Sequence, residues 1–475
     1  MVCKLMLMFL FFLLTSTVVL ALDLSKLHGN ISFNSSDIKA ASLDFGRINH
    51  VESLAVMYPN SEQDIVHLVK KALSTQGFNV SARGKGHSAY GQAQVAGGVV
   101  IDMSSTTASL QMRRKPVQGR ISSYVDVWGG DQWINVLNYT LPHGLAPKSW
   151  TDYLHVTVGG TLSYAGIGGQ TYLHGPQISN VYELDVVTGK GELKTCSKEQ
   201  NTELFCGVLG GLGQFGIITR ARISLESAPG SVILMQLTYY DFSVFTKDQE
   251  YLISLHEKPA SERFDSLLGS VSVDTVPIKY NLEVVKYIYK STTDAVNQEV
   301  DVLLAKLDSV SITRNILSYT NYLERLWQLE LDLRSKGLWD VPHPGLSLLV
   351  PKSSIRDFDK GVIKGIIGNN SNGNLYCRWD PCTSAVTPEG DVFYSVWLLR
   401  TTGKGNKAIV DFIMNQNQEI LNFCKKAEIK VRQYLPYYEK QKEWVDHYGD
   451  KWDLFRKRKM EFDPKHILAT GQHIF

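Results

Sequence analysis

The sequence predicts an α+β protein of two domains, and three observations lead there. The first third alternates short β-rich runs with amphipathic helices, the pattern of a layered sheet-and-helix domain. From about Val232 onward long alternating strands are interleaved with long helices, which reads as a second sheet covered by helices. The chain has 475 residues, and a length of that order is more than one core comfortably fills.

The elements follow in order. Residues 1–22 stand outside the fold. Lys4 is their only charge, residues 5–14 are unbroken apolar sequence, and Val19 and Ala21 are small residues before a cut, so the segment reads as a secretory signal. An uncleaved anchor is disfavoured because the fully apolar core is too short to span a bilayer comfortably. The clearest early helix runs from Ser61 to Gly77: Ser61 and Asp64 make a capping-box-like start, and Ile65, Val66, Leu68, Val69, Ala72 and Leu73 form one apolar face. A β-like run, 78–82, then empties into Arg83-Gly84-Lys85-Gly86-His87-Ser88. Strands follow at 97–102 and 124–128, and Asp131 caps a helix to about Tyr139. Residues 181–187 and 217–225 alternate as strands, and Asn201 caps a short helix through Leu209. In the second domain strands are expected at 232–240, 282–289 and 392–399, with helices at 295–307, 321–335 and 408–428.

Composition excludes several classes. Lys plus Arg number 49 and Asp plus Glu 47, for a net charge of +2, so there is no basic excess of the kind nucleic-acid binding needs. Apolar residues at 44% and charged residues at 20% are ordinary globular values and rule out a disordered chain. No later segment reaches membrane-spanning length. The sequons at Asn30, Asn34, Asn79, Asn138 and Asn369 agree with secretion. No cysteine spacing resembles a zinc site, and no metal is expected. Cys196 with Cys206, or Cys377 with Cys382, could pair; buried free thiols serve equally well.

Three motifs carry chemistry. Gly211-Leu212-Gly213-Gln214-Phe215-Gly216 matches a dinucleotide fingerprint, but that mechanism needs a helix after it. The residues that follow, 217–224, are β-branched and alternating, so a turn between packed elements is the better reading. The hexapeptide ending Gly86-His87-Ser88 follows a strand, where bare backbone can approach a ligand or offer N–H groups to phosphates. Alone it would be a surface turn with a solvated histidine. The further glycine-rich runs 158–163 and 165–169 tilt the balance toward a long, diphosphate-containing cofactor. Asp152, in Trp150-Thr151-Asp152-Tyr153, is flanked by aromatics; a carboxylate partly removed from water has a raised pKa and can act as a base. By itself it would read as a surface turn residue.

Taken together, Gly84-Lys85-Gly86-His87-Ser88 with Gln92, Trp150-Thr151-Asp152-Tyr153, residues 157–163, His174-Gly175-Pro176-Gln177, residues 209–222 and the closing Gly471-Gln472 resemble the plant cytokinin dehydrogenases. The likeness runs in order from about Asn49 to Phe475. It implies a flavoprotein of the vanillyl-alcohol-oxidase (PCMH) type, with an FAD-binding domain at 23–230, a substrate domain at 231–430 built on an antiparallel sheet covered by helices, and a return to the FAD-binding domain at 431–475. It further implies FAD joined covalently through His87, with cofactor contacts from Ala82, Gly84, Lys85, Gly86, Ser88, Gln92, Asp152, Thr157, Ser163, Ile167, Ile218, Tyr434, Ala469 (backbone only, where the family often has Ser) and Gln472. By the same resemblance Asp152 is the catalytic base that takes a proton from the secondary amine of a cytokinin. The adjacent side-chain carbon then loses hydride, and the imine hydrolyses to adenine and an unsaturated aldehyde. The implied partners are a small cytokinin and an electron acceptor, quinone-like or O2, acting on a monomer in the apoplast or another secretory compartment such as the ER or vacuole.

The chain departs from the family's pattern in the substrate domain. Leu268 stands where a Glu able to contact the isoprenoid tail is usual, and Gly345 where a Trp helps wall the pocket; the stretches after Asp274 and around 376–383 are short. A widened, less selective pocket is expected, since an aromatic wall can bury roughly 150–250 Å². Two alternatives remain: a covalent flavoprotein oxidase of the same fold acting on a carbohydrate or aromatic alcohol, and a flavin- or purine-binding homologue of low activity. The berberine-bridge type is disfavoured, because no Cys lies in 156–175 for its second flavin bond.

Overall fold

The computed structural model describes Leu24 and residues 29–104, 115–119, 122–273, 275–289, 293–368, 382–403 and 405–475. The predicted signal, the sequon at Asn369 and Cys377 lie outside them.

Four sheets organise these residues. The first contains β1 (Asn30–Ser32), β2 (Ala55–Tyr58), β3 (Val80–Arg83) and β4 (Val99–Asp102), in the order β1-β2-β4-β3, with β4 parallel to both β2 and β3. The helix Glu62–Ser74 covers it: Ile65, Leu68, Val69 and Ala72 are buried against β-strand residues such as Met57 and Ile101. Its start is the capping box read from the sequence, with Asp64 accepting from the amides of Asn60 and Ser61. The chain end returns to this sheet. Leu468 bridges Val80 in parallel, and Val80 donates its N–H to Ile467.

The second sheet is antiparallel and holds β5 (Val117–Gln118), β6 (Ser123–Trp128), β7 (Leu145–Pro147), β8 (Val181–Thr188), β9 (Leu193–Ser197) and β10 (Gly216–Ser227). Its order is β5-β6-β10-β8-β9, with β7 paired to one end of β10. The glycine run 211–216 leads straight into β10, so the turn reading holds and no helix follows it. On β10 the buried Arg220 reaches Asp126 on β6 and Glu183 and Asp185 on β8, tying three strands together.

The third sheet is also antiparallel. It comprises β11 (Ser231–Tyr239), β12 (Ser266–Ser272), β13 (Lys279–Ile288) and β14 (Ser311–Ser318), in the order β12-β13-β11-β14. The fourth is β16-β15-β17, from β15 (Leu346–Pro351), β16 (Phe393–Leu398) and β17 (Arg432–Gln433). Helices Phe242–Ser254, Thr293–Leu304 and Lys407–Lys426 flank these sheets, and Phe245, Val300 and Ile420 enter one core with Leu282 and Leu348. A second core joins Val125 and Leu184 of the second sheet to Val285 of the third and Leu349 of the fourth, so apolar packing runs continuously between the two halves.

The structure corrects four expectations. The helix expected over 321–335 is broken at Glu324 into Tyr319–Leu323 and Arg325–Ser335. Asp131 does not cap the next helix, which starts after Gln132; its carboxylate turns back and accepts from the Trp128 amide, closing the Gly129-Gly130 turn. The disulfide is Cys206–Cys382, neither of the two sequence-local pairings, and Cys196 and Cys424 are buried free thiols. Spacing along the chain could not show this, because the paired cysteines are 176 residues apart. Asn201 does precede its short helix, but it sits at φ 49° and its amide binds Thr195 O instead of capping.

Candidate active site

The loop after β3 is shaped by two glycines. A Cβ on Gly84 would lie 2.1 Å from Thr157 Oγ1, so only bare backbone lets the two glycine-rich segments touch. Gly86 has φ +64°, and a Cβ there would strike the Arg83 guanidinium at 2.2 Å. The loop is anchored from below. Phe45 N donates to Gly86 O at 2.8 Å and Gly46 N to Ser88 O at 3.0 Å. Asp44 accepts from Ser88 Oγ at 3.0 Å, Gly91 N at 2.6 Å and Arg47 N at 3.0 Å. The amides of Gly84, Lys85, Gly86, His87 and Ser88 have no protein acceptor among the described residues.

His87 sits in a ring stack. Its imidazole lies 4.3 Å from Phe45 and 5.0 Å from Tyr153, and Phe45 stacks in turn on His343 at 4.3 Å. The imidazole is accessible to solvent, yet desolvation, with His343 adding to it, pushes its pKa down to about 4. A side chain that water can touch but protein surrounds lines an internal cleft. At neutral pH its ring is uncharged and keeps a nitrogen lone pair.

The second glycine-rich run forms the facing wall. Thr157 precedes the short helix Val158–Leu162, whose Gly159 donates to Gly129 O at 2.7 Å, and Ser163 Oγ donates back to Gly159 O at 2.7 Å. Gly129 in turn lies against the carbonyl of Ile218 on β10. The Tyr434 hydroxyl accepts from the amides of Gly166 and Ile167 at 3.1 and 3.4 Å. Gln472 Nε2 donates to Tyr164 Oη at 3.0 Å, while its buried Oε1 has no partner among the described residues. Gln92 Oε1 accepts from Tyr90 N at 2.8 Å, and Gly471 packs on the carbonyls of Gly91, Gln92 and Gln94. Ala469 adopts φ 51°, and its carbonyl accepts from Gln214 Nε2 at 3.0 Å. Ala82 lies on β3, packed on the first-sheet core, and Lys85 is exposed at the rim. Segments far apart in sequence are therefore brought together, Gly84 against Thr157 and Gly471 against Gly91 and Gln92. The run of open amides, these bare-backbone approaches and the orphaned Gln472 oxygen suit a long, phosphate-bearing cofactor.

Asp152 lies at the other end of the His87 stack, next to Tyr153. Burial pushes its carboxyl up to about 6, with Arg325 pulling down and Glu283 pushing up. Arg325 Nη2 is 3.9 Å from Asp152 Oδ1 and 3.1 Å from Glu283 Oε1. The preceding Trp150 is buried and donates to Tyr319 Oη at 2.9 Å. One short helix, Arg325–Ser335, docks along the whole loop. Besides Arg325, its Trp327 stacks on His155 at 3.9 Å and its Glu330 accepts from the Tyr153 hydroxyl. Glu324, just before it, is 3.3 Å from His155 Nε2.

Sequence reasoning did not find Arg325, Glu283, Phe45 or Asp44, and it read Tyr153 only as an aromatic flanking Asp152. Arg325 and Glu283 sit in a charged helix and an alternating strand, where such residues read as solvated faces. On the substrate side Leu268 is buried and pairs directly with Glu283 across β12 and β13. The Gly345 carbonyl accepts from Tyr90 Oη at 2.6 Å, and the nearest atom to a Cβ there would be Leu398 O at 3.6 Å. Trp339 lies 5.1 Å from Phe45 and 6.2 Å from Tyr153, so an aromatic from the preceding loop adjoins the ring stack.

A family model described as FAD binding domain matches residues 53–197, and one described as Cytokinin dehydrogenase 1, FAD and cytokinin binding, matches residues 271–475. Cytokinin dehydrogenase 5 of Arabidopsis thaliana is 50% identical over 486 residues, covering 94% of this chain and 89% of that protein. Cytokinin dehydrogenase 5 of Oryza sativa subsp. japonica is 47% identical, covering 100% and 98%. Cytokinin dehydrogenase 1 of Arabidopsis thaliana is 44% identical, covering 94% and 83%.

Proposed function

The chain belongs to the cytokinin dehydrogenases, two-domain flavoproteins that bind FAD and oxidise a CH–NH group, and from that membership we propose how its own residues divide the work. The reaction removes the N6 isoprenoid side chain of a cytokinin as an unsaturated aldehyde and leaves adenine. FAD, when bound, supplies the acceptor for the hydride leaving the side-chain carbon beside the nitrogen. The chain's residues bind, orient and move the proton.

Asp152 is the base that takes the proton of the substrate's secondary amine. The observation that carries this is its placement: a desolvated carboxylate, pushed up to about 6, one residue from the ring stacked on His87. At neutral pH it is largely ionised, yet more basic than an exposed aspartate. His87 is the covalent attachment point. Its neutral ring is held in plane by Phe45 and Tyr153, and Gly84, Gly86 and Ser88 fix the loop that presents it. The remaining cofactor contacts come from Ala82, Lys85, Gln92, Thr157, Ser163, Ile167, Ile218, Tyr434, Ala469 and Gln472. Residues 23–230 and 431–475 form the FAD-binding domain and 231–430 the substrate domain, a division favoured by the return of Leu468 beside Val80.

The acceptor that reoxidises the flavin is a quinone-like compound or O2, and the chain works as a monomer. No helix among the described residues is long and apolar enough to cross a membrane. Passage through the secretory pathway is favoured by the Cys206–Cys382 disulfide and by the exposed sequon residues Asn30, Asn34 and Asn138. Anaerobic mixing of the purified protein with isopentenyladenine tests the activity: the flavin absorbance should bleach, and an unchanged spectrum overturns it. Acid precipitation tests attachment. The pellet should stay yellow in wild type and lose its colour in His87→Ala; flavin wholly in the wild-type supernatant rules out the covalent bond.

A further inference from the structure

We propose that Arg325, held at a fixed distance by Glu283, is a positioning residue that sets the charge and orientation of the Asp152 carboxylate. The inference rests on the reading of Asp152 as the base and goes beyond it, since neither Arg325 nor Glu283 needs to touch substrate.

The geometry is specific. Arg325 has its guanidinium 4.5 Å over the Tyr322 ring, and its Nη1 donates to Tyr322 O at 3.1 Å. Tyr322 is itself fixed, because its hydroxyl donates to Ser266 Oγ at 2.9 Å. The other end of the fork, Nη2, faces two carboxylates: Glu283 at 3.1 Å and Asp152 at the longer 3.9 Å. The groups facing Asp152 are thus Arg325 from helix Arg325–Ser335, Glu283 from β13 and Tyr322 from helix Tyr319–Leu323.

The unequal distances matter. A guanidinium closed directly onto Asp152 would hold it as a tight ion pair, too weak a base for an amine N–H. With no guanidinium, two carboxylates would share a desolvated pocket, and one would take up a proton. Glu283 draws the Arg325 fork toward β13, so the positive charge reaches Asp152 without pairing off its lone pairs. The register of β12 and β13 protects this arrangement. Directly opposed residues share a face of the sheet, and the residue opposite Glu283 is the apolar Leu268, so no further acid from β12 competes for Arg325.

The test is the acid limb of kcat/KM in the flavin-loaded enzyme, measured with isopentenyladenine. Arg325→Gln should move the limb to higher pH by roughly 1–3 units, the usual effect of a nearby opposite charge. Glu283→Gln should move it to lower pH, and Arg325→Lys should keep it near the wild-type position. Opposite displacements are the signature, since general structural damage would not displace the two limbs in opposite senses. Limbs that stay put, or move the same way, overturn the proposal. If Arg325→Gln fails to hold flavin, Arg325→Lys and Glu283→Gln decide it: an unmoved Glu283→Gln limb overturns it. Asp152→Asn separates this from the underlying reading. If that variant keeps the limb, Asp152 is not the base. If it loses the limb while the Arg325 and Glu283 variants leave theirs unmoved, only the present proposal fails.

Discussion

His87 and Asp152 show one cause acting in opposite directions. Desolvation drives the imidazole down to about 4 and the carboxyl up to about 6, because in each case burial disfavours the charged form. A base must be ionised to accept a proton, so in the role proposed for Asp152 kcat/KM should rise as pH increases through about 6. A pH–rate profile flat across that range contradicts the assignment. Asp152→Asn should keep the flavin spectrum and lose roughly 10²–10⁴-fold in turnover, the usual contribution of a positioned base. A variant that instead loses flavin would make the residue structural. Read by its neighbours alone, each of these two residues is a surface turn residue; their proposed roles come from the resemblance of the motifs that hold them. Arg325 and Glu283 were not legible in the sequence: their partners lie on another helix and another strand, and only folding brings the three together. Leu268→Glu follows from the same geometry. It would place a second carboxylate opposite Glu283, with Cβ atoms roughly 4.5–5.5 Å apart, and give Arg325 a rival partner. The acid limb of kcat/KM should then shift upward; a limb at the wild-type position would show that the new acid turns away from Arg325.

At the scale of elements, β10 is the strand on which the second sheet depends. Its alternation predicted a strand, but not that Arg220 would be buried in it. Arg220 survives there because Asp126 and Glu183, each 2.7 Å away, and Asp185 surround it from the flanking strands. Arg220→Met would leave three carboxylates facing one another in a poorly hydrated space. Breaking a buried network by removing one partner costs roughly 3–5 kcal/mol. Arg222, more exposed and bound chiefly to Asp126, should cost distinctly less when replaced by Met. Denaturant unfolding followed by tryptophan fluorescence distinguishes them, and equal losses would mean that burial of Arg220 adds nothing. The helix expected over 321–335 was read in the right place but as one piece. The break at Glu324 aims Arg325 at Asp152 and lays the rest of the helix along residues 153–155. Periodicity could not show it, because both pieces carry polar and apolar residues in helical spacing.

For the whole molecule the Cys206–Cys382 bond is the feature farthest from the sequence reading. It ties helix Thr202–Val208 to the chain just before β16 across 176 residues. A non-reducing digest should yield these two peptides linked, and the Cys206→Ser, Cys382→Ser double variant should lose roughly 2–4 kcal/mol of stability while still bleaching with substrate. Recovery of both as free thiols would contradict it. The sequence did not show the helices Phe242–Ser254 and Trp452–Phe462 or the strands β12 and β14, but by itself it determined the fold class, long elements such as Glu62–Ser74, β10 and β11, and the glycine-lined loops. These are encoded locally, in hydrophobic periodicity, in capping residues such as Ser61, and in glycines whose neighbours leave no room for a side chain. Only the tertiary structure decided which cysteines pair, that Leu468 returns to β3, that Phe45 and Tyr153 enclose His87, and that Arg325 stands between Glu283 and Asp152. Each of these joins residues distant along the chain. Pairing of that kind is decided by how sheets and helices pack, and the residues between the partners carry no local trace of it.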